Sequence, residues 1–298
     1  MKNLSDLIKQ AENKKTAIGH FNISDSVALR AIYEAAQELS VPVIIGTSEG
    51  EARFLERNIA AAMVKRLRDD NDFPIFINSD HTHSLEEVEK AVSAGYDAII
   101  FDASKFSFEE NIKQTKQAVE YIKSKSKNIL VEGELGYLGD SSKILKSLPD
   151  GVAVRPEDLT KPEDAVRFVN ETGIDLLAPA VGNRHGILLS SNQAGGELKS
   201  VKKHLDISRI KAIKDAVKIP LVLHGGSDTV DEDFTAAINA GISIIHINTE
   251  IRVAWKNALE KSLKQNEEEI APYKLLEPSL EAIKSVVKSR LQLFNKFI

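Results

Sequence analysis

The hydrophobic residues of the chain fall into eight short runs, several almost continuously apolar, such as PVIIG, PIFI and PLVL. Such runs are typical of strands that are covered on both faces, as in a parallel sheet. The eight predicted strands span residues 16–21, 41–48, 73–80, 98–104, 129–135, 174–181, 220–226 and 243–249.

Amphipathic stretches with helix start and stop signals separate these runs. Ser84, with Glu87 at the capping-box position and Gly95 as a stop, brackets one of them. Strand and helix alternate from end to end, which predicts one α/β domain over residues 1–298. We expect a single (β/α)8 TIM barrel with an extra C-terminal helix over 278–298. An open doubly wound sheet is the structural alternative.

Composition narrows the chemistry. The 298 residues carry a formal net charge of −5 and contain no cysteine. A metal site would therefore use nitrogen and oxygen ligands. Basic residues are scattered, which argues against a nucleic-acid or anionic-membrane partner. The N-terminus has no apolar signal core, and no apolar run approaches the ~20 residues of a membrane span. We expect a soluble cytoplasmic protein.

Six of the seven histidines lie in or just after the C-terminal part of a predicted strand: His20, His81, His83, His185, His224 and His246. The C-terminal ends of barrel strands converge on the active-site mouth. Catalytic zinc sites use three protein ligands and an open position. His81, His185 and His224, from three different strands, are therefore predicted to hold a zinc ion. A single histidine in such a place is more often a packing residue, and His20 is interpreted as a packing residue or as one that supports a ligand from behind.

Carboxylates and glycines occur at the same ends of the strands. Glu132 and Glu134 alternate and so share one face of their strand. Asp102 follows an apolar run, where either a cation or a salt bridge to Lys105 would offset its burial. Gly225-Gly226-Ser227 follows the seventh strand and Asn248-Thr249 ends the eighth. Barrels commonly bind phosphate with these two loops, although an ordinary tight turn is the alternative.

These segments together resemble the class II, metal-dependent fructose-1,6-bisphosphate and tagatose-1,6-bisphosphate aldolases. The matching pieces, in the family's order over nearly the whole chain, are GHFNISD, SDHTHS, IIFDASKFSFEENI, VEGELG, TGIDLLAPAVGNRHG, LVLHGGS and IHINTEIRVAW. The resemblance implies a lyase that acts on a phosphorylated sugar, with catalytic Zn²⁺, and a homodimer or larger homo-oligomer.

The resemblance also implies roles for individual residues. His81, His185 and His224 would hold the zinc, and Asp80 would handle the proton of the C4 hydroxyl. Asp102 and Glu134 would serve a second or alternate cation position, divalent or monovalent. The predicted phosphate ligands are Gly186, Gly225, Gly226, Ser227, Asn248 and Thr249, and Asn22 and Ser48 would lie near the substrate.

The sequence departs from the family pattern at three places. Ser142 stands where the family's loop glutamate is expected, so Asp140 is the candidate replacement base. Asp228 replaces a glycine beside the predicted phosphate site and should weaken binding unless it points away. His246 replaces the asparagine that hydrogen-bonds the reacting triose, and we expect it to donate in the same way.

The leading hypothesis is a zinc-dependent aldolase that cleaves a ketose 1,6-bisphosphate to dihydroxyacetone phosphate and glyceraldehyde 3-phosphate, in glycolysis or gluconeogenesis. Fructose-1,6-bisphosphate is the first choice of substrate. The alternatives are tagatose-1,6-bisphosphate, another phosphorylated ketose or related keto-acid, and a non-catalytic metal-binding homologue. A barrel metallohydrolase is disfavoured because His81-Thr82-His83 lies on the third strand, whereas that class carries its His-x-His on the first.

Overall fold

A computed structural model of the protein describes residues 3–139, 142–148, 150–153, 155–189 and 200–297. Eight parallel strands form a closed barrel in the order β1-β10-β9-β7-β5-β4-β3-β2. The barrel strands are β1 Ile18–Asn22, β2 Val43–Ser48, β3 Ile75–Thr82, β4 Ala98–Phe101, β5 Leu130–Leu135, β7 Leu176–Pro179, β9 Leu221–Leu223 and β10 Ile242–Ile247. The predicted barrel is therefore confirmed, and the open sheet is excluded.

The ladder ends earlier than predicted on β7 and β9. Gly182 and Gly225 follow these strands with φ values of 99° and 57°. Glycine takes such left-handed backbone conformations readily, whereas other residues do so at a cost. The chain therefore leaves the ladder there and turns over the mouth of the barrel. A second sheet pairs two short strands above this mouth, β6 Ile144–Leu145 and β8 Ile187–Leu188.

Helices surround the barrel. They are α1 Leu4–Lys14, α2 Ser26–Leu39, α3 Glu49–Leu55, α4 Arg57–Asn71, α5 Leu85–Ala94, α6 Phe108–Lys125, α7 Pro162–Thr172, α8 Ile207–Val217, α9 Asp231–Ala240, α10 Thr249–Gln265 and α11 Pro272–Phe294. The caps of α5 are those the sequence predicts, since the Ser84 hydroxyl accepts from the Glu87 N–H and Gly95 ends the helix in the left-handed conformation.

The extra C-terminal helix begins six residues before the predicted start, at Pro272 rather than Pro278. Proline is well suited to the first helical position, because its φ is preset and its missing N–H would be unpaired there. Pro278 removes one internal hydrogen bond, but the helix continues because Leu280 and Ile283 beyond it are buried.

The N-terminal end of the barrel is apolar. Each of the eight strands contributes one buried side chain to a layer there: Ile18, Ile44, Phe76, Ala98, Leu130, Leu176, Val222 and Ile244. Leu4 and Ile8 of α1 pack against this layer and close that end. Among the described helices, none combines the length and hydropathy that a membrane crossing demands.

Candidate metal and phosphate site

The end of β3 is built to present two consecutive residues to the barrel mouth. The pairing of β3 with β4 slips by one residue between Ser79 and Thr82, which is a β-bulge. Within it His81 adopts a φ of 53°. Such left-handed backbone at a residue other than glycine is strained and is found mainly at functional sites. The bulge lets Asp80 and His81 both line one cavity, although neighbours on a regular strand face opposite sides.

The structure brings His81, His185 and His224 together. The His81 ring centroid lies 4.7 Å from that of His185 and 4.9 Å from that of His224, and the last two are 5.9 Å apart. Glu134 joins them, so that four candidate ligand atoms lie within 4.8 Å of one another. Three imidazole nitrogens with one carboxylate form a donor set that zinc binds well.

Hydrogen bonds fix the orientation of these rings. Glu132 binds Nε2 of His224 at 2.6 Å, which leaves Nδ1 on the side of Glu134. Asp102 binds Nδ1 of His81 at 2.9 Å. Nε2 of His81 and Nε2 of His185 are buried and have no hydrogen-bond partner among the described residues. Buried polar nitrogens without partners are costly, and a shared cation would satisfy both. The residues present therefore fit a divalent metal.

The electrostatics of this cluster favour positive charge. Burial alone would lower the pKa of His81, but the carboxylates of Asp80, Asp102 and Glu134 outweigh it and raise the pKa to about 9. Burial would also lower the pKa of His224, but Glu132 and Glu134 outweigh this effect and raise the pKa well above its usual value. Burial, and next the imidazoles of His81 and His224, lower the pKa of His185, and Asp80 opposes this shift only in part. The carboxylates thus create a place for a cation between the rings.

Asp80 lies beside this cluster and is ionised. Burial would raise its pKa, yet His81, His246 and His20 hold it well below the usual range. The Asn22 amide donates to Oδ2 of Asp80 at 2.7 Å and to Glu51 at 2.8 Å. Oδ1 of Asp80 is buried and lacks a hydrogen-bond partner among the described residues. Asp80 therefore presents one free carboxylate oxygen that is held in place through the other.

His246 lies in a row of three stacked imidazoles. Its ring is 3.5 Å from that of His20 and 4.3 Å from that of His224. Burial and the neighbouring histidines lower the pKa of His246, so its ring is neutral and can donate one hydrogen bond. Burial lowers the pKa of His20 to about 4. His20 contacts the site through this stack, which agrees with a packing residue.

The loops after β9 and β10 form the opposite wall of the same cavity, which has a volume of about 360 Å³. Gly186, Gly225, Ser227, Asn248 and Thr249 line it. Asn248 is the N-cap of α10, so the N-terminus of a 17-residue helix opens there. Helix N-termini and free backbone N–H groups favour anions. Gly226 is not among the lining residues. Its N–H donates to the His246 carbonyl at 3.0 Å and is therefore not available to an anion.

The structure treats the remaining residues that the sequence singled out in different ways. Asp228 accepts at Oδ1 from Lys202 at 2.6 Å and from Ser200 at 3.0 Å, so that oxygen is engaged on the outer side of the loop. Asp102 binds His81 and the Ser104 N–H. His83 lies beyond the end of β3 and is exposed. Asp140 lies outside the described residues, and its role as a base stays a prediction.

Sequence reasoning missed three charged residues of the cavity and its wall. Arg252 lines the cavity beside Ser48 and Asn22, and its guanidinium binds the buried Glu51. Lys143 lines the cavity from the segment before β6. A signal for Arg252 was present, since it lies one helical turn after the predicted phosphate residues Asn248 and Thr249. Glu51 was recognisable as the third residue of a capping box that starts at Ser48.

Comparison with known proteins places this chain in a family. The family model for class II fructose-bisphosphate aldolases matches residues 2–297. Fructose-bisphosphate aldolases from Geobacillus stearothermophilus and Staphylococcus aureus are each 35% identical to the chain over 295 residues, covering 98% of it and 96% of the relative. The crystal structure of the YdjI aldolase from Escherichia coli K12 superposes with a TM-score of 0.79 at 31% identity, covering 98% of this chain and 96% of that one.

Proposed function

The chain belongs to the class II fructose-bisphosphate aldolase family and is a lyase, and from this premise we propose that it cleaves the C3–C4 bond of a phosphorylated ketose with the help of zinc. Fructose-1,6-bisphosphate is the first choice of substrate, which would place the enzyme in glycolysis or gluconeogenesis. One observation carries the proposal: three converging imidazoles, an ionised aspartate and an anion-binding wall line one cavity.

His81, His185 and His224 would hold the metal, with Glu134 within reach of the same place and Asp102 bound to Nδ1 of His81. When bound, zinc supplies Lewis-acid stabilisation of the negative charge that develops at the sugar carbonyl. Glu132 keeps the His224 ring in the orientation that turns Nδ1 toward the metal position. Buried hydrogen bonds hold these side chains in place, and metal binding would displace the proton between His224 and Glu134.

Asp80 is the group for proton transfer. Asp80 lines the cavity, its Oδ1 has no hydrogen-bond partner among the described residues, and it is ionised and therefore able to accept the proton of the substrate's C4 hydroxyl. The second oxygen is held by Asn22, which stops the carboxylate from rotating away. His246, 3.6 Å from Asp80 through Nδ1, is neutral and can donate a hydrogen bond to an oxygen of the substrate.

Two kinds of anion-binding group line the cavity. The N–H groups of the loops after β9 and β10 would bind the phosphate of the triose half. Arg252 and Lys143 also line the cavity, and these two cations suit a second phosphate on the substrate. Their presence beside the phosphate loop supports a bisphosphate.

The alternative substrate is tagatose-1,6-bisphosphate or another phosphorylated ketose. The stacked pair His20–His246 favours it, because an imidazole in place of the family's asparagine changes the hydrogen bonds offered to the sugar. Such a change alters which hydroxyl configuration is accepted without altering the metal or the phosphate loop.

A coupled cleavage assay tests the proposal. Purified protein is given fructose- or tagatose-1,6-bisphosphate before and after prolonged EDTA treatment, and again after Zn²⁺ is restored. We expect cleavage that disappears with EDTA and returns with zinc, and the ratio of kcat/KM for the two sugars identifies the substrate. Cleavage that survives complete metal removal, verified by elemental analysis, would contradict the proposal.

A further inference from the structure

Lys203 is one of the largest fully buried side chains of the protein, with 1% of its surface exposed. It lies in the segment that returns to the barrel after β8. Its N–H donates to the Asp228 carbonyl at 3.1 Å, and its carbonyl accepts from Val230 at 3.4 Å. The backbone of this segment is therefore attached to the loop that follows β9, and the side chain runs beneath that loop.

The Lys203 ammonium binds two carbonyls of the phosphate loop, which we define as Gly225 to Ser227. Nζ donates to the Gly225 carbonyl at 2.7 Å and to the Ser227 carbonyl at 2.5 Å. Among the described residues no carboxylate lies within 4.0 Å of this nitrogen. A buried ammonium is normally paired with an anion, because its desolvation is costly. Within the described part of the chain Lys203 is thus held by backbone carbonyls, and no salt bridge there explains its burial.

The hydrogen bonds of the loop alternate along its backbone. Gly226 N–H donates to the His246 carbonyl, and Asp228 N–H donates to Glu250. The N–H groups of Gly225 and Ser227, each directly before one of these donors, have no acceptor among the described residues. Both residues line the cavity. Lys203 thus binds carbonyls of the two peptide units whose N–H groups are occupied, and two N–H groups are left for an anion.

We propose that Lys203 is the positioning residue of the phosphate loop: its side chain fixes the Gly225 and Ser227 carbonyls and places an ammonium group directly behind the anion site. This inference rests on the proposed function. Carbonyl oxygens arranged around a cation are also the ligands that alkali ions prefer. Lysine supplies the equivalent charge covalently, so the loop needs no free monovalent ion at this point.

The surrounding charges agree with this role. Burial, and next the nearby Arg184, lower the pKa of Lys203 to about 7, whereas Asp228 and Glu250 oppose the shift and Lys202 adds to it. The lysine is therefore easily deprotonated when the loop is empty. A phosphate dianion in front of the loop favours the charged form again, so that anion and proton are bound together.

The test compares three variants of the zinc-loaded protein. Lys203→Met removes donor and charge, Lys203→Gln keeps a donor without charge, and Lys202→Met is the matched control, because Lys202 is a neighbouring but half-exposed lysine that binds Asp228. Affinity for inorganic phosphate is measured by calorimetry, and KM and kcat are measured for the substrate. Zinc content and circular dichroism verify that each variant is folded.

We expect the phosphate Kd and the substrate KM to rise about 10- to 100-fold in Lys203→Met and Lys203→Gln, as for the loss of a charged hydrogen-bonding group. Lys202→Met should stay within about threefold of the wild type. Ammonium or potassium ions should restore part of the phosphate affinity of the Lys203 variants and leave the wild type unchanged. Any rescue would exclude a purely structural role.

Two results overturn the inference. If Lys203→Gln binds phosphate like the wild type, the charge is not needed, and this variant decides the matter should Lys203→Met fail to fold. If wild-type affinity itself depends on potassium, the lysine does not replace a free ion. Neither result affects the proposed function, which fails separately if the wild type binds no phosphate and cleaves no ketose phosphate.

Discussion

Two layers of the barrel interior lie only two residues apart along the strands, and on five of the eight strands they have opposite characters. The lower layer is apolar on all eight strands and is closed by α1. Two residues further on, Ile18, Phe76, Leu130, Val222 and Ile244 give way to a polar set consisting of His20, Asn78, Glu132, His224 and His246. The lower layer closes the hydrophobic core, and the upper layer carries buried nitrogens without partners.

This difference shows that the unfavourable features of the fold are concentrated in the upper layer. Native structures satisfy nearly all buried polar groups, and exceptions mark sites that await a ligand or an ion. The strained φ of His81 and the orphaned imidazole nitrogens all belong to the mouth. We therefore expect substitutions in the upper layer to alter chemistry far more than stability, and substitutions in the lower layer to do the reverse.

The largest effect is expected from a metal ligand. His185→Ala should lower kcat/KM by about a thousandfold or more, because a zinc ion with two remaining imidazoles is weakly held and its electrostatic contribution is lost. Elemental analysis should show zinc falling well below one ion per chain. His83→Ala, which alters an exposed histidine 6.4 Å from His81, should keep its zinc. Full zinc content in His185→Ala would show that His185 is not a zinc ligand.

The second-largest effect is expected from the loss of the group that transfers the substrate's proton. Asp80→Asn keeps the shape and a hydrogen-bonding group but removes the free carboxylate oxygen, and kcat should fall about 10²- to 10⁴-fold. Zinc content should stay at the wild-type level, which separates this variant from a lost ligand. Steady-state kinetics measure kcat, and elemental analysis measures the zinc content. A kcat within a few fold of the wild type would remove Asp80 from the mechanism.

The comparison is sharpest on one strand, where Ile244 and His246 represent the two layers. Ile244→Ala should lower the free energy of unfolding by about 2–5 kcal/mol, as for other buried large-to-small changes, and leave KM nearly unchanged. His246→Leu should change stability little, because it replaces a buried polar ring by an apolar side chain, but it should lower kcat/KM. Urea unfolding and kinetics on both variants check this, and a reversed pattern would refute the division into layers.

The same division explains what the sequence could predict. The strands of the barrel were recognisable because they are buried on both faces and therefore read as apolar runs. The helix ends were recognisable where a capping side chain or glycine decides them, as at Ser84 and Gly95. Both signals are local, so they need no knowledge of the tertiary structure.

Other features depend on contacts between distant parts of the chain. Arg252 binds Glu51 across 201 positions, and Lys203 binds a loop more than 20 residues away. Nothing local distinguishes Lys203 from its exposed neighbour Lys202, since both are lysines in one polar segment. The left-handed backbone of His81 also leaves no mark in the sequence, because it follows from the bulge between β3 and β4.

The smallest effect is a difference in pH dependence. The pKa of Lys203 is lowered from 10.5 to about 7 in the folded protein, so between pH 7 and 10.5 the unfolded chain binds more protons there than the folded chain. The free energy of unfolding should therefore rise with pH across this window, by an amount that Lys203→Met loses. Urea unfolding of both proteins at pH 7 and pH 9, with saturating zinc, isolates this contribution, because the other groups cancel in the comparison. Equal slopes would mean that Lys203 keeps its proton in the folded state throughout, held by its two carbonyls, and that anion binding at the loop draws no further proton from solution.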